Sequence, residues 1–231
     1  MKEKTEHSLL FVGIYACLLA WLGGLLGFIC LMQFPLQAFP DMQAQAKTLE
    51  GREPAYIFPG DAFYLEGPVA RAPGWTTKRQ QLLDASAASL QISVGDINAW
   101  IDAKFRSAAV PASEQQGLML MPERPNVGIA ADGTTYLNFP AKISGYGLEG
   151  KYVLSARIHY REGTPARLVV DHLQIAGAAV PLPRMIGARI VSTLINSFSS
   201  ADEYALIQEA WSRVQAVETS DGACVLTLNL R

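Results

Sequence analysis

Histidine, cysteine and charge are all scarce in this chain, and each shortage removes a class of chemistry. Of three histidines, only His159 and His172 lie outside the short N-terminal tail, and no H-x-x-x-H, H-E-x-x-H or C-x-x-C spacing occurs. No metal site is therefore predicted. Cys17 and Cys30 fall within an uncharged run and Cys224 stands alone near the C-terminus, so the C-terminal domain can form no internal disulfide. Cys224 is expected to face the core as an inert thiol. There is no G-x-S-x-G, no S-x-x-K and no G-x-G-x-x-G, which removes the usual nucleophile elbow and phosphate cradle. Asp171-His172 are neighbours on an expected strand and point to opposite faces. Asp96 and Asp102 lie six apart on an expected helix, on different faces, and make a poor carboxylate pair. No catalytic residue and no cofactor is predicted. Charged residues make up 17% of the chain, below the usual ~25%, and the net charge is −2 with no basic run. Nucleic acid is not an expected partner.

What the chain does have is a run from Leu9 to Met32, LLFVGIYACLLAWLGGLLGFICLM, without one charge. It exceeds the ~20 residues that cross a bilayer as a helix, and a lone apolar run in lipid must be helical to satisfy its backbone. Lys2 and Lys4 precede it, whereas no Lys or Arg occurs from Gln33 to Ala46. That bias predicts a cytoplasmic N-terminus, residues 1–8 forming the tail, and a translocated C-terminal domain. A cleaved signal peptide is the competing reading. Its apolar core would be 7–15 residues long, and the A-x-A pattern at Ala44-Gln45-Ala46 lies well beyond Met32. An uncleaved anchor is the expectation. Gly23 and Gly27 have the G-x-x-x-G spacing through which two such helices form a homodimer.

Residues 33–75 interleave prolines with aromatics and read as a juxtamembrane linker; residues 76–231 read as one α+β domain. Within it, Thr76–Ser89 is predicted helical with a hydroxyl cap at Thr76 or Thr77, and Gln91–Ile92 a brief extended break. Ser93-Val94-Gly95-Asp96 has the form of a capping box before a helix whose face carries Ile97, Trp100, Ile101 and Phe105. After Pro111 the apolar period falls to two. Strands are expected at 117–121, 126–131 and 134–143, with Asp132-Gly133 as a hairpin turn. From Leu148 to Arg161, Leu148, Tyr152, Leu154, Ala156, Ile158 and Tyr160 alternate with a polar set expected to face water. A further strand, 166–175, completes a curved antiparallel meander. Helices at 184–198 and 202–211 follow, then a last hairpin, 214–219 and 223–230, whose Cys224, Leu226, Leu228 and Leu230 share the inner face.

Three amphipathic surfaces stand out: Trp100/Ile101/Phe105, Tyr152/Leu154/Ile158/Tyr160 and Ile190/Leu194/Phe198. They line either an apolar ligand groove or an ordinary closed core. The expected function is a non-catalytic, membrane-anchored envelope domain binding a lipid or other apolar ligand near the bilayer. The alternatives are a protein-interaction or scaffold domain of an envelope complex and, third, an envelope hydrolase.

A capped helix around SVGDINAWIDAKF, then a meander, then VVDHLQIAG leading through AVPLPRMIGARIVSTLINSF to a hairpin ending DGACVLTLNL, resembles bacterial membrane-anchored or envelope domains likened to the tubular lipid-binding (TULIP) superfamily. The resemblance spans about Leu90 to Leu230. It implies a curved sheet wrapped on a helix with apolar ligands inside, and an address at the inner (plasma) membrane of a bacterial-type envelope. The domain is small for a tube, and its helices are short for one.

Overall fold

The computed structural model describes residues 9–33, 38–39, 64–65, 74–104, 119–129, 133–145, 148–181, 183–198, 201–220 and 222–230. Outside them lie the tail, most of the 33–75 linker with Ala44-Gln45-Ala46, Phe105, the Asp132 and Asp221 turn positions, the ends of the 117–121 and 126–131 strands, and Arg231. The side chains of Leu148 and Phe198 also lie outside the description.

Helix α1 is Leu9–Met32. Leu10, Leu19 and Trp21 are each about two-thirds exposed, at 68%, 66% and 70%. A helix apolar on every side leaves most of its surface without a protein partner here. The chain thus carries one N-terminal helix long and apolar enough to cross a membrane, a property shared by anchors and signal sequences. Strands β1 (Ala38–Phe39) and β2 (Tyr64–Leu65) form a small parallel ladder.

The remainder is mixed helix and antiparallel sheet. In chain order it runs α2 (Trp75–Asp84), β3 (Ser89–Ser93), α3 (Val94–Lys104), β4 (Met119–Pro122), β5 (Asn126–Ile129), β6 (Thr135–Gly145), β7 (Leu148–Arg161), β8 (Arg167–Ile175), β9 (Ala178–Ala179), α4 (Pro183–Phe198), α5 (Ala201–Trp211), β10 (Val214–Ser220) and β11 (Ala223–Leu228). Two sheets result. In the larger, β4, β6, β7, β8 and β9 are neighbours in that order, with β5 also on β6; in the smaller the order is β10, β11, β3. Neither closes into a barrel among the described residues.

Sequence and structure part first at α2. Its N-cap is Gly74 with no side-chain cap, and it ends at Asp84, where Ala85 takes a left-handed conformation (φ 47°) and Ser86 N–H bonds the Gln81 carbonyl. Ser89, expected to end this helix, instead opens β3, where Leu90 is buried opposite Leu226. Leu90 fits helical spacing with Leu83 and Ala87 and strand alternation with Ile92, so the pairing with β11 decides. The capping box forms as expected: Ser93 Oγ accepts from Asp96 N–H at 3.1 Å, and the Asp96 carboxylate accepts from Ser93 N–H at 3.3 Å and Ser93 Oγ–H at 2.7 Å. Ser93→Ala is expected to cost ~1 kcal/mol, read as a lowered urea midpoint.

The β7 alternation holds on its apolar side: Ala156 and Ile158 are buried with Phe139, Val170, Leu173 and Val191, beneath α4. The polar side is wet at Lys151, His159 and Arg161 as expected, but not along its whole length. Val153 and Ser155 are buried, at 0% and 3% exposed. Ser155 Oγ donates to Asn138 Oδ1 at 2.7 Å, and Asn138 Nδ2 donates to Asn126 Oδ1 at 2.9 Å, so a neutral polar ladder crosses three strands out of water. Serine and asparagine read as solvated in a one-dimensional pattern, yet they satisfy each other when registered across strands. Cys224, Leu226 and Leu228 are buried as expected. Leu230 is half exposed because β11 ends at Leu228.

Asn98 ties α3 to the larger sheet. Its amide bonds both backbone groups of Val127, N–H to Oδ1 and Nδ2–H to the carbonyl, each at 2.8 Å. All of this is buried, so Asn98→Leu leaves two unpaired main-chain groups and is expected to cost ~2–3 kcal/mol by urea denaturation.

A candidate apolar ligand site

Two cores share the domain. One gathers Leu82, Leu90, Ile101, Val127, Ile129, Leu226 and Leu228 under α2, α3 and α5; the other joins α4 to β6–β8, and Leu137 packs against both. Helix α4 covers β8 of the larger sheet, whereas α3 packs on both β3 and β5, and the seam where the two cores meet is not filled. A cavity of about 300 Å³ lies there. Its walls are Ile97, Trp100 and Ile101 of α3, Leu137 and Phe139 of β6, Tyr160 of β7, Leu168 of β8, Ile195 of α4, and Ile207 and Trp211 of α5, floored by the smaller sheet. Three of the chain's four tryptophans, Trp75, Trp100 and Trp211, face this one space.

The charged wall residues are Lys78, Arg79, Asp96 and Glu203, from α2 and the starts of α3 and α5. Asp96 lies against Gly74 at the start of α2, where an added Cβ would meet its carboxylate at 3.1 Å. Glu203 is buried, its side chain 7% exposed, and takes both ends of the Arg79 guanidinium at 2.6 Å. It also accepts the Trp100 indole N–H at 3.0 Å, and Lys104 stands 3.8 Å away. The Arg79 hydrogen bonds hold its carboxyl below the usual range, against the opposing pull of burial, with Trp100 and Lys104 adding to the effect. One end of the cavity is therefore charged and internally neutralised, and the body is apolar.

Elsewhere in the wall two titratable groups are held protonated. Burial pushes the Cys224 thiol up to about 11, so it stays protonated and non-nucleophilic. Burial likewise raises the Tyr160 hydroxyl well above its ordinary value; its ring packs on Trp211 with centroids 5.6 Å apart.

Of the residues singled out in the sequence, Trp100, Ile101 and Tyr160 meet at the cavity. Leu154, Ile158, Ile190 and Leu194 belong to the α4 core beside it. Tyr152 is elsewhere, its hydroxyl 3.4 Å from Gln33 Nε2 just past α1. Gly23 and Gly27 lie on α1 with open space where a Cβ would be. Asp96 serves as a cap, and Asp102 pairs with Arg124 at 2.8 Å. Asp171 does not meet His172; a bulge at Asp171, between the Arg157/His172 and Ile158/Val170 pairs, sets it 2.6 Å from exposed His159. Among the described residues no group of three His, Cys, Asp or Glu side chains could hold a metal. The β5–β6 wall and Ile207 and Trp211 of α5 were not singled out. Trp211 alone carried a signal, as an aromatic at the end of an amphipathic helix. Comparison with protein-family models, with curated proteins and with solved structures finds no match for this chain.

Proposed function

We propose that this is a single-pass, membrane-anchored envelope domain that shelters a lipid or other apolar ligand in the cavity between its two cores, as a binding rather than a catalytic module. The cavity carries the reading. The space opens to solvent, so while it is empty its largely apolar wall faces water, and each Å² covered is worth ~25 cal/mol. An apolar occupant covers that wall, and the charged end offers a place for a polar group. A cavity of ~150 Å³ accepts benzene, so this one suits a chain of roughly a dozen carbons.

The anchor orientation, N-terminus in the cytoplasm and domain beyond the membrane of a bacterial-type envelope, rests on Lys2, Lys4 and the absence of basic residues from Gln33 to Ala46. The likeness to tubular lipid-binding domains, and a larger sheet curved over α4, belong to the same proposal; the burial of Phe139, Ile158 and Leu173 against Val191 supports the latter.

A photoactivatable acyl-chain lipid, incorporated into bilayers with the full-length protein, tests the reading. Crosslinks mapped to β6 and α5 as well as α1 are expected. Crosslinks confined to α1 would contradict a ligand site in the domain.

A further inference from the structure

We infer that the domain makes a second contact with the bilayer, at the corner where β9 turns into α4. The inference rests on α1 being a membrane span and is independent of what fills the cavity. Among the described residues of α1, the ones that lose exposure are Phe28, Leu31 and Met32, spaced i, i+3 and i+4 on one face at its C-terminal end. Helix α1 packs against β9, and just past Met32 the Gln33 side chain reaches the Tyr152 hydroxyl at 3.4 Å. If the span reaches Met32, Phe28 lies ~6 Å deeper at 1.5 Å per residue, and β9 is held at the membrane–water boundary.

The chain leaving β9 presents what that boundary accepts. Met185 is 77% exposed and Ile186 41%, apolar side chains with no cover on the first turn of α4. Arg184 has 79% of its side chain exposed, its guanidinium 3.7 Å from Asp171. Arg189 is exposed four residues after Met185, on the same face. Apolar side chains bordered by arginine are the pattern of helices that lie in the interfacial layer, cations towards lipid phosphates. Behind that face Gly187 allows close packing, since a Cβ there would come within 2.8 Å of Val170. Helix α4 thus runs from the bilayer surface at Met185 to the cavity wall at Ile195, ten residues or ~15 Å along its axis.

The test uses the full chain with its three cysteines replaced, in bilayers of phosphatidylcholine and phosphatidylglycerol. A spin label is placed in turn at Leu22→Cys in α1, Met185→Cys, and Leu206→Cys, an exposed apolar position on α5. The expected order of collision with an aqueous nickel reagent is Leu206 highest, Met185 several-fold lower, Leu22 lowest. Met185 as accessible as Leu206, with Leu22 shielded, would overturn the docked corner while leaving the anchor intact. Leu22 freely accessible would overturn the anchor and the corner together.

Discussion

Glu203→Ala is expected to destabilise the domain by about 3–5 kcal/mol, the range for breaking a buried ion pair from one side. The carboxylate is buried, engages both ends of the Arg79 fork and accepts the Trp100 indole N–H. Its removal strands a guanidinium only 20% exposed and an indole donor together. Glu203→Gln retains an acceptor and should cost less. The pH dependence follows from the sign. The folded carboxyl is held below its unfolded value of 4.5, so the unfolded chain binds the proton more readily. This stability is complete above about pH 4.5 and is lost as pH falls towards the depressed folded value. His172 acts above that window: burial lowers it from 6.5, so stability falls as pH drops below 6.5 while the unfolded chain takes up the proton. Urea midpoints from pH 3 to 8 should show both losses in the wild type and only the upper one in Glu203→Gln.

Ile207→Trp is expected to abolish ligand retention while leaving the urea midpoint unchanged or raised. In a filled core the larger side chain would force neighbours off their rotamers at ~1–3 kcal/mol. Here Ile207 lines about 300 Å³ of apolar space, and the indole has somewhere to go. A clear fall in midpoint would mean that the wall has already closed. Trp100→Ala works in the opposite direction. It enlarges the cavity and removes a donor from Glu203, so stability and ligand retention should both fall.

The N-terminal helix was legible because twenty-four apolar residues without charge admit few other structures. The Ser93–Asp96 box was legible because its bonds are local, spanning three residues. The end of α2 was not. Ala85 holds a left-handed conformation that no glycine or asparagine announces, and β3 exists only because β11 pairs with it more than a hundred residues later. The buried Asn126–Asn138–Ser155 ladder was likewise hidden, since those residues read as solvated until their register is known. For the site, amphipathic faces indicated Trp100, Ile101 and Tyr160. Apolar periodicity cannot separate a residue facing its own core from one facing the seam between two, and so Leu154, Ile190 and Leu194 were grouped with them.

The central claim is that the seam holds an apolar molecule, and native mass spectrometry of the full-length protein released from detergent tests it most directly. Wild-type protein is expected to carry a lipid-sized adduct that survives delipidation of α1 and is missing from Ile207→Trp. Bare chain mass in the wild type, or an adduct equally retained by Ile207→Trp, would contradict it.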